Sequence, residues 1–82
     1  MSVFSMWLIA KAHFCLAKNF WNEKEDRKHR LNESEILEID DRFELIEKFI
    51  NTETEEEGNI EVLCIIYDVL MTLLDEAETK MN

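Results

Sequence analysis

The chain has 82 residues, and its 19 acidic residues outnumber its nine basic residues to give a net charge of −10. A chain of this length builds one small core, so we expect residues 1–82 to form a single helical domain. The acidic balance argues against direct binding to nucleic acids or anionic membranes, because both expose phosphates. All-β folds need frequent turn residues, and this chain has no Pro and one Gly. The composition therefore predicts an all-α protein.

The apolar N-terminal stretch, VFSMWLIAKAHFCLA, does not read as a secretion signal. It lacks a basic leading region, it is interrupted by Lys11 and His13, and no small-residue cleavage site follows it. The apolar run in residues 60–74 is shorter than the roughly 20 residues that span a bilayer, and it contains Asp68. We therefore expect a cytoplasmic protein that does not insert into membranes.

Two cysteines, Cys15 and Cys64, lie inside apolar stretches. Two cysteines do not make the dense framework of a secreted disulfide scaffold. We expect buried, reduced thiols, with a Cys15–Cys64 disulfide as the alternative.

The first predicted helix covers residues 3–30, with an end near Asn19–Asn22 as the alternative. Its apolar residues recur at alternating spacings of three and four along two adjacent lines of the helix. We call these lines the first seam (Val3, Trp7, Ala10, Phe14, Ala17 and Trp21) and the second seam (Met6, Ile9, His13, Leu16 and Phe20). The pairs Glu23–Arg27 and Asp26–Arg30 have the (i, i+4) spacing that favours continuation of the helix past residue 22. Such a helix would be about 40 Å long, so we expect its charged end to project beyond the core or to lie on another subunit.

The second predicted helix covers residues 33–51. Asn32 and Glu35 have the spacing of a capping box, with Asn in place of the usual Ser or Thr. The apolar residues that follow recur in threes and fours on one face: Ile36, Ile39, Phe43, Ile46 and Ile50. This pattern is typical of an amphipathic helix with one buried face.

The third predicted helix covers residues 59–80, and we expect it to be the central element. Residues 60–74 are apolar around most of the helix circumference, so the segment must be covered on more than one side. Two starts are possible for this helix. A capping box at Thr54 would place Gly58 inside the helix, whereas a start at Asn59 leaves Gly58 in the turn. We prefer the start at Asn59. A buried strand is the alternative, but the polar residues do not alternate.

The residues that could carry chemistry do not form a catalytic or metal-binding set. His13 lies in an apolar seam, where we expect a partly buried, hydrogen-bonded side chain, and His29 lies in a charged run without enough further ligands. No phosphate-binding loop, nucleophile elbow or Cys–His arrangement is present in the sequence. We therefore predict a protein that is not an enzyme and that uses no cofactor or metal.

The run KEDRKHR, residues 24–30, is the one basic cluster of the sequence. Nucleic-acid binding is disfavoured because Glu25 and Asp26 lie within the cluster. We expect a solvated helix end that meets the acidic residues 33–61, within the chain or between copies.

Residues 33–61 carry twelve acids and two bases, a local net charge of −10. Such a block can simply keep a very apolar domain soluble. It can also bind a basic surface of another protein, and in the sharpest case its carboxylates imitate the phosphates of nucleic acid. The candidate partner-binding residues are Glu38, Asp41, Glu44, Glu47, Glu55, Glu56 and Glu57.

Three helices of this length carry more apolar surface than one copy can bury. We therefore expect a homodimer or a higher homo-oligomer, which would cover the excess. Large aromatic and apolar side chains of the first helix are the candidate interface anchors, namely Phe4, Trp7, Leu8, Phe14 and Trp21.

Taken together, these features favour a small acidic interaction protein that binds and regulates or inhibits a basic partner protein, in the sharpest case one that binds nucleic acid. In size, acidity and lack of Pro the chain is similar in character to the accessory proteins of phages and mobile elements. Two alternatives remain open. One is a cytoplasmic regulator of phage lysis that acts through helix–helix contacts, and the other is an oligomeric helical scaffold.

Overall fold

The computed structural model describes residues 2–82, and all of its regular elements are helical. They are α1 (Val3–Glu23), a 3₁₀ helix (Glu25–Arg30), α2 (Glu33–Thr52) and α3 (Glu57–Met81). The prediction of an all-α fold is confirmed, and the segment 60–74 is helical throughout.

The prediction of one continuous helix over residues 3–30 is wrong, because α1 ends at Glu23. The chain then tightens into the 3₁₀ helix, which brings Lys28 and Leu31 back onto the core with only 8% and 7% of their surfaces exposed. An (i, i+4) ion pair contributes a few tenths of a kcal/mol, whereas burying a Leu contributes about 1.5–3 kcal/mol. Burial therefore outweighs the helical ion pairs.

The capping box predicted for α2 is present. The Glu35 backbone N–H donates to Asn32 Oδ1 at 2.8 Å, and the Asn32 backbone N–H donates to Glu35 Oε1 at 3.2 Å. These bonds satisfy two of the N–H groups that a helix start leaves without an intrahelical partner. They fix the start of α2 at Glu33, as the sequence predicts.

The preferred start of α3 at Asn59 is wrong by two residues, because the helix begins at Glu57 and includes Gly58. Gly58 has no positive φ, and a Cβ added there would meet nothing within 4 Å. The Asn59 side chain donates instead to the Thr54 carbonyl oxygen at 2.9 Å, which holds the α2–α3 connection against the first turn of α3.

The core lies along α3, which packs against α2, α1 and the 3₁₀ helix. Leu70 of α3 and Ile46 of α2 are fully buried at its centre. One flank of α3 stays open: Ile65 is 65% exposed, and Val62 and Val69 are exposed too. Residues 60–74 are therefore covered by α1 and α2 on two sides, as expected, but the flank with Val62, Ile65 and Val69 is left uncovered. The molecule measures 40 × 20 × 17 Å.

Candidate interaction surfaces

The outward face of α2 carries three exposed carboxylates, Glu38, Asp41 and Glu44. Because the buried apolar residues of α2 face α1 and α3, the (i, i+3) and (i, i+4) acids on its opposite side are directed to solvent. None of the three takes part in an ion pair with another described residue. This face, which we call the acidic face, is negative and open.

The other predicted partner-binding residues have different surroundings. Glu47 accepts a hydrogen bond from Lys18 Nζ at 3.1 Å, which joins α2 to α1. Glu55, Glu56 and Glu57 are exposed in the α2–α3 connection and the first turn of α3. Glu56 is the N-cap residue of α3 but makes no side-chain capping bond, so these three carboxylates add charge at the end of the acidic face without fixing the helix start.

Two acids of α2 contribute to the fold in ways that the sequence pattern does not reveal. Asp40 Oδ1 accepts a hydrogen bond from Trp21 Nε1 at 2.7 Å. Glu35 Oε2 accepts one from Lys80 at the far end of α3. The bonds from Lys80 and from the Asn32 backbone N–H hold the pKa of the Glu35 carboxyl below its ordinary value.

The basic run 24–30 meets the end of α3, and not the acidic residues 33–61 that we expected. Arg30 donates to the Met81 carbonyl oxygen at 2.7 Å, and Arg27 donates to the Asn82 side chain at 3.2 Å. Free carbonyl groups at a helix C-terminus attract cations, and this favours the arrangement. Lys28 lies over the Trp21 ring, with its Nζ 4.0 Å from the ring centroid.

Three of the five predicted interface anchors are part of the core of a single chain. Trp7, Phe14 and Trp21 are 1%, 7% and 2% exposed, so they are corrected from interface residues to core residues. They are buried because they lie on the first seam of α1, which faces α2 and α3. Phe4 and Leu8 lie on another side of α1 and are about half exposed.

Apolar surface remains uncovered across the described residues. The exposed large side chains are Phe4, Met6, Leu8, Ile9, Leu16, Leu37, Leu45, Val62, Ile65 and Val69. The thiols of Cys15 and Cys64 are free and exposed, contrary to the expectation that they are buried. Both cysteines have apolar neighbours in the sequence, but they lie on sides of α1 and α3 that no other helix covers.

Part of this surface forms a groove between α1 and α3, on the side away from α2. The groove has two compartments of about 410 and 260 Å³, and His13 and Tyr67 line both. Its walls are Met6, Ile9, Leu16 and Phe20 of α1 and Ile60, Cys64, Tyr67 and Met71 of α3. We call it the α1–α3 groove.

His13 and Tyr67 join the two walls at the middle of the groove. The Tyr67 hydroxyl donates to the His13 carbonyl oxygen at 3.4 Å, and the two rings meet edge to face with centroids 6.3 Å apart. Partial burial raises the pKa of the Tyr67 hydroxyl. The His13 residue is exposed and not partly buried as expected, because the second seam of α1 faces this groove.

The charged side chains that line the α1–α3 groove are all acidic: Asp68, Asp75 and Glu78 of α3. Lys18 of α1 is turned towards α2, where it binds Glu47, and Lys11 lies over the Trp7 ring of its own helix, 5.8 Å from the ring centroid. The groove is therefore an apolar trough with a negative edge on its α3 side.

Within residues 2–82, no three His, Cys, Asp or Glu side chains are grouped so that they could hold a metal ion. No helix between residues 2 and 82 has both the length and the apolar character needed to cross a bilayer. The chain matches no protein-family model, no curated protein and no solved structure.

Proposed function

We propose that this protein is a small, acidic, non-enzymatic interaction protein that acts in the cytoplasm by binding a basic surface of a partner protein. The observation that carries the proposal is the acidic face, where Glu38, Asp41 and Glu44 are exposed and form no ion pair among the described residues. Glu55, Glu56 and Glu57 extend the same negative charge at the end of α2.

The physical basis is complementarity of charge. A face with a net negative charge steers an oppositely charged partner and disfavours partners of like charge. If the partner's basic surface normally binds nucleic acid, then occupation by these carboxylates blocks that binding. The protein would thereby regulate or inhibit its partner without performing chemistry.

The test compares two triple charge reversals with the same net charge. Affinity capture with mass spectrometry, at low salt and at about 0.5 M salt, identifies a salt-sensitive partner whose affinity is then measured with purified proteins. We expect Glu38→Lys, Asp41→Lys and Glu44→Lys together to weaken binding about tenfold or more. The control reverses three exposed acids elsewhere, Glu23, Asp26 and Glu76. Equal weakening by both variants, or by neither, would contradict a role for the acidic face.

A second candidate function, an oligomeric helical module, is favoured by the exposed apolar side chains of α1. Phe4 and Leu8 are 53% and 48% exposed and lie one turn apart on the same side as Cys15. A two-fold contact through this stripe would remove both from water.

Sedimentation equilibrium tests self-association through this stripe. We expect a dimer at high micromolar concentration under reducing conditions, and a shift to monomer when Phe4 and Leu8 are replaced by Ser. Leu37→Ser is the matched control because Leu37 is equally exposed but lies on α2. A wild-type chain that remains monomeric would rule the module out.

A further inference from the structure

We propose that the α1–α3 groove binds a basic amphipathic helix of a partner protein. The apolar face of that helix would lie in the groove, and its Lys or Arg residues would lie along Asp68 and Asp75. The inference takes the sign of the partner's charge from the proposed function, but it concerns a different surface from the acidic face.

The dimensions of the groove suit one helix. Along α1 its wall extends from Met6 to Phe20, which corresponds to about 21 Å or four turns of helix. Its two compartments meet at His13 and Tyr67, so a ligand that fills both must be elongated. A helix with apolar side chains at i, i+3, i+4 and i+7 has this shape and presents its side chains along one line.

The walls of the groove offer apolar area that no other part of the described chain covers. Ile9 and Leu16 of α1 are 44% and 66% exposed. They lie two turns apart on one side of the helix, and they face the groove together with Phe20. A helix seated there would bury all three and gain the free energy of removing them from water.

Charge decides between the possible occupants. Asp68 and Asp75 are seven residues apart, two helical turns, so they repeat along the groove at the spacing with which flanking charges repeat on a packed helix. Lys or Arg at i and i+7 of the bound helix would match both carboxylates. Lys18 is bound to Glu47 on the other side, and Lys24, directly after α1, lies over the Phe20 ring, so neither lysine forms an ion pair with Asp68 or Asp75.

A second copy of this chain fits the groove less well. In a two-fold contact between two grooves, each copy would bring its own Asp68 and Asp75 to the contact. These like charges would lie close together at the contact and repel each other. A basic helix meets the same apolar walls with attraction and not repulsion.

Synthetic peptides of about 18 residues test the proposal with the full chain. The probe carries Leu along one helical face and Lys at all other positions. One control peptide replaces each Lys with Glu, and another keeps the composition but scrambles the order so that the apolar face is lost. We expect the Lys probe to bind and both controls to bind at least about tenfold more weakly. Equal binding of the Glu peptide or the scrambled peptide, or a Kd of the Lys probe above about 1 mM, would overturn the proposal.

Protein variants locate the binding site. Ile9→Ser with Leu16→Ser should weaken the Lys probe about tenfold, whereas Leu37→Ser, an equally exposed change on α2, should leave it unchanged. Asp68→Asn with Asp75→Asn should weaken binding and reduce its salt dependence. Far-UV circular dichroism confirms that each variant is folded. If Leu37→Ser weakens the probe as much as the groove variant does, the site lies elsewhere.

Amide chemical shifts separate this proposal from the proposed function. Shifts confined to residues 6–20 and 60–78 support the groove. Shifts confined to residues 38–57 overturn the groove while supporting the acidic face, and no shift at either place contradicts both. A wild-type dimer that Ile9→Ser and Leu16→Ser convert to monomer would assign the groove to a second copy and overturn the basic helix.

Discussion

Replacing Trp21 with Ala is expected to lower the free energy of unfolding by about 3–5 kcal/mol. The indole is 2% exposed, and three separate interactions converge on it. Its ring is part of the core, its Nε1 donates to Asp40 at 2.7 Å, and Lys28 lies over its face. A small domain has a total stability near the low end of about 5–15 kcal/mol, so the variant should be largely unfolded.

Urea unfolding followed by circular dichroism measures the loss, and Trp21→Phe is the matched control. Phe keeps most of the apolar volume but lacks the N–H donor, so we expect an intermediate loss of about 1–2 kcal/mol. A Trp21→Ala variant less than about 1 kcal/mol below wild type would mean that the indole is not part of the core.

Leu70→Ala is expected to lower the free energy of unfolding by about 2–5 kcal/mol. Leu70 is fully buried at the middle of α3, so its truncation leaves a cavity in a close-packed core. The loss combines the transfer free energy of the deleted atoms with the cost of the cavity.

The matched control is Ile65→Ala on the same helix. Ile65 is 65% exposed, so its truncation should change the stability by about 0.5 kcal/mol or less. The midpoints of the two urea transitions should therefore be clearly separated. Equal losses of stability for Leu70→Ala and Ile65→Ala would contradict the burial of Leu70 and the exposure of Ile65.

Helix type and most helix ends could be predicted because they depend on local signals. The capping box at Asn32 requires only residues three positions apart, and the start of α2 is correct. The apolar periodicity of Ile39, Phe43 and Ile46 likewise places all three in the core. The first residue of α1 is set by Ser2, which accepts a hydrogen bond from the Ser5 backbone N–H at 3.1 Å.

The end of α1 could not be predicted because it depends on distant residues. Arg30 reaches Met81, 51 positions further along the chain, and Lys28 folds back over Trp21. Local ion pairs at 23–30 favoured a longer helix. Periodicity contains no information on the groups that a turn will meet in the folded chain.

The two seams of α1 show why the candidate sites were only partly predictable. Trp7, Phe14 and Trp21 repeat with the same period as Met6, His13 and Phe20, so the sequence does not tell which seam faces the core. The structure buries the first seam and directs the second to the α1–α3 groove. The second seam was visible in the sequence, but only the position of α3 makes it a wall of a groove.

The attachment of the 3₁₀ helix to Met81 also affects how the molecule opens. In most helices the last turn frays first, because its carbonyl groups have few partners. Here Met81 is 1% exposed, and its carbonyl oxygen accepts a hydrogen bond from Arg30. We therefore expect the last turn of α3 and the segment 25–31 to separate from the rest of the molecule together, as one cooperative unit.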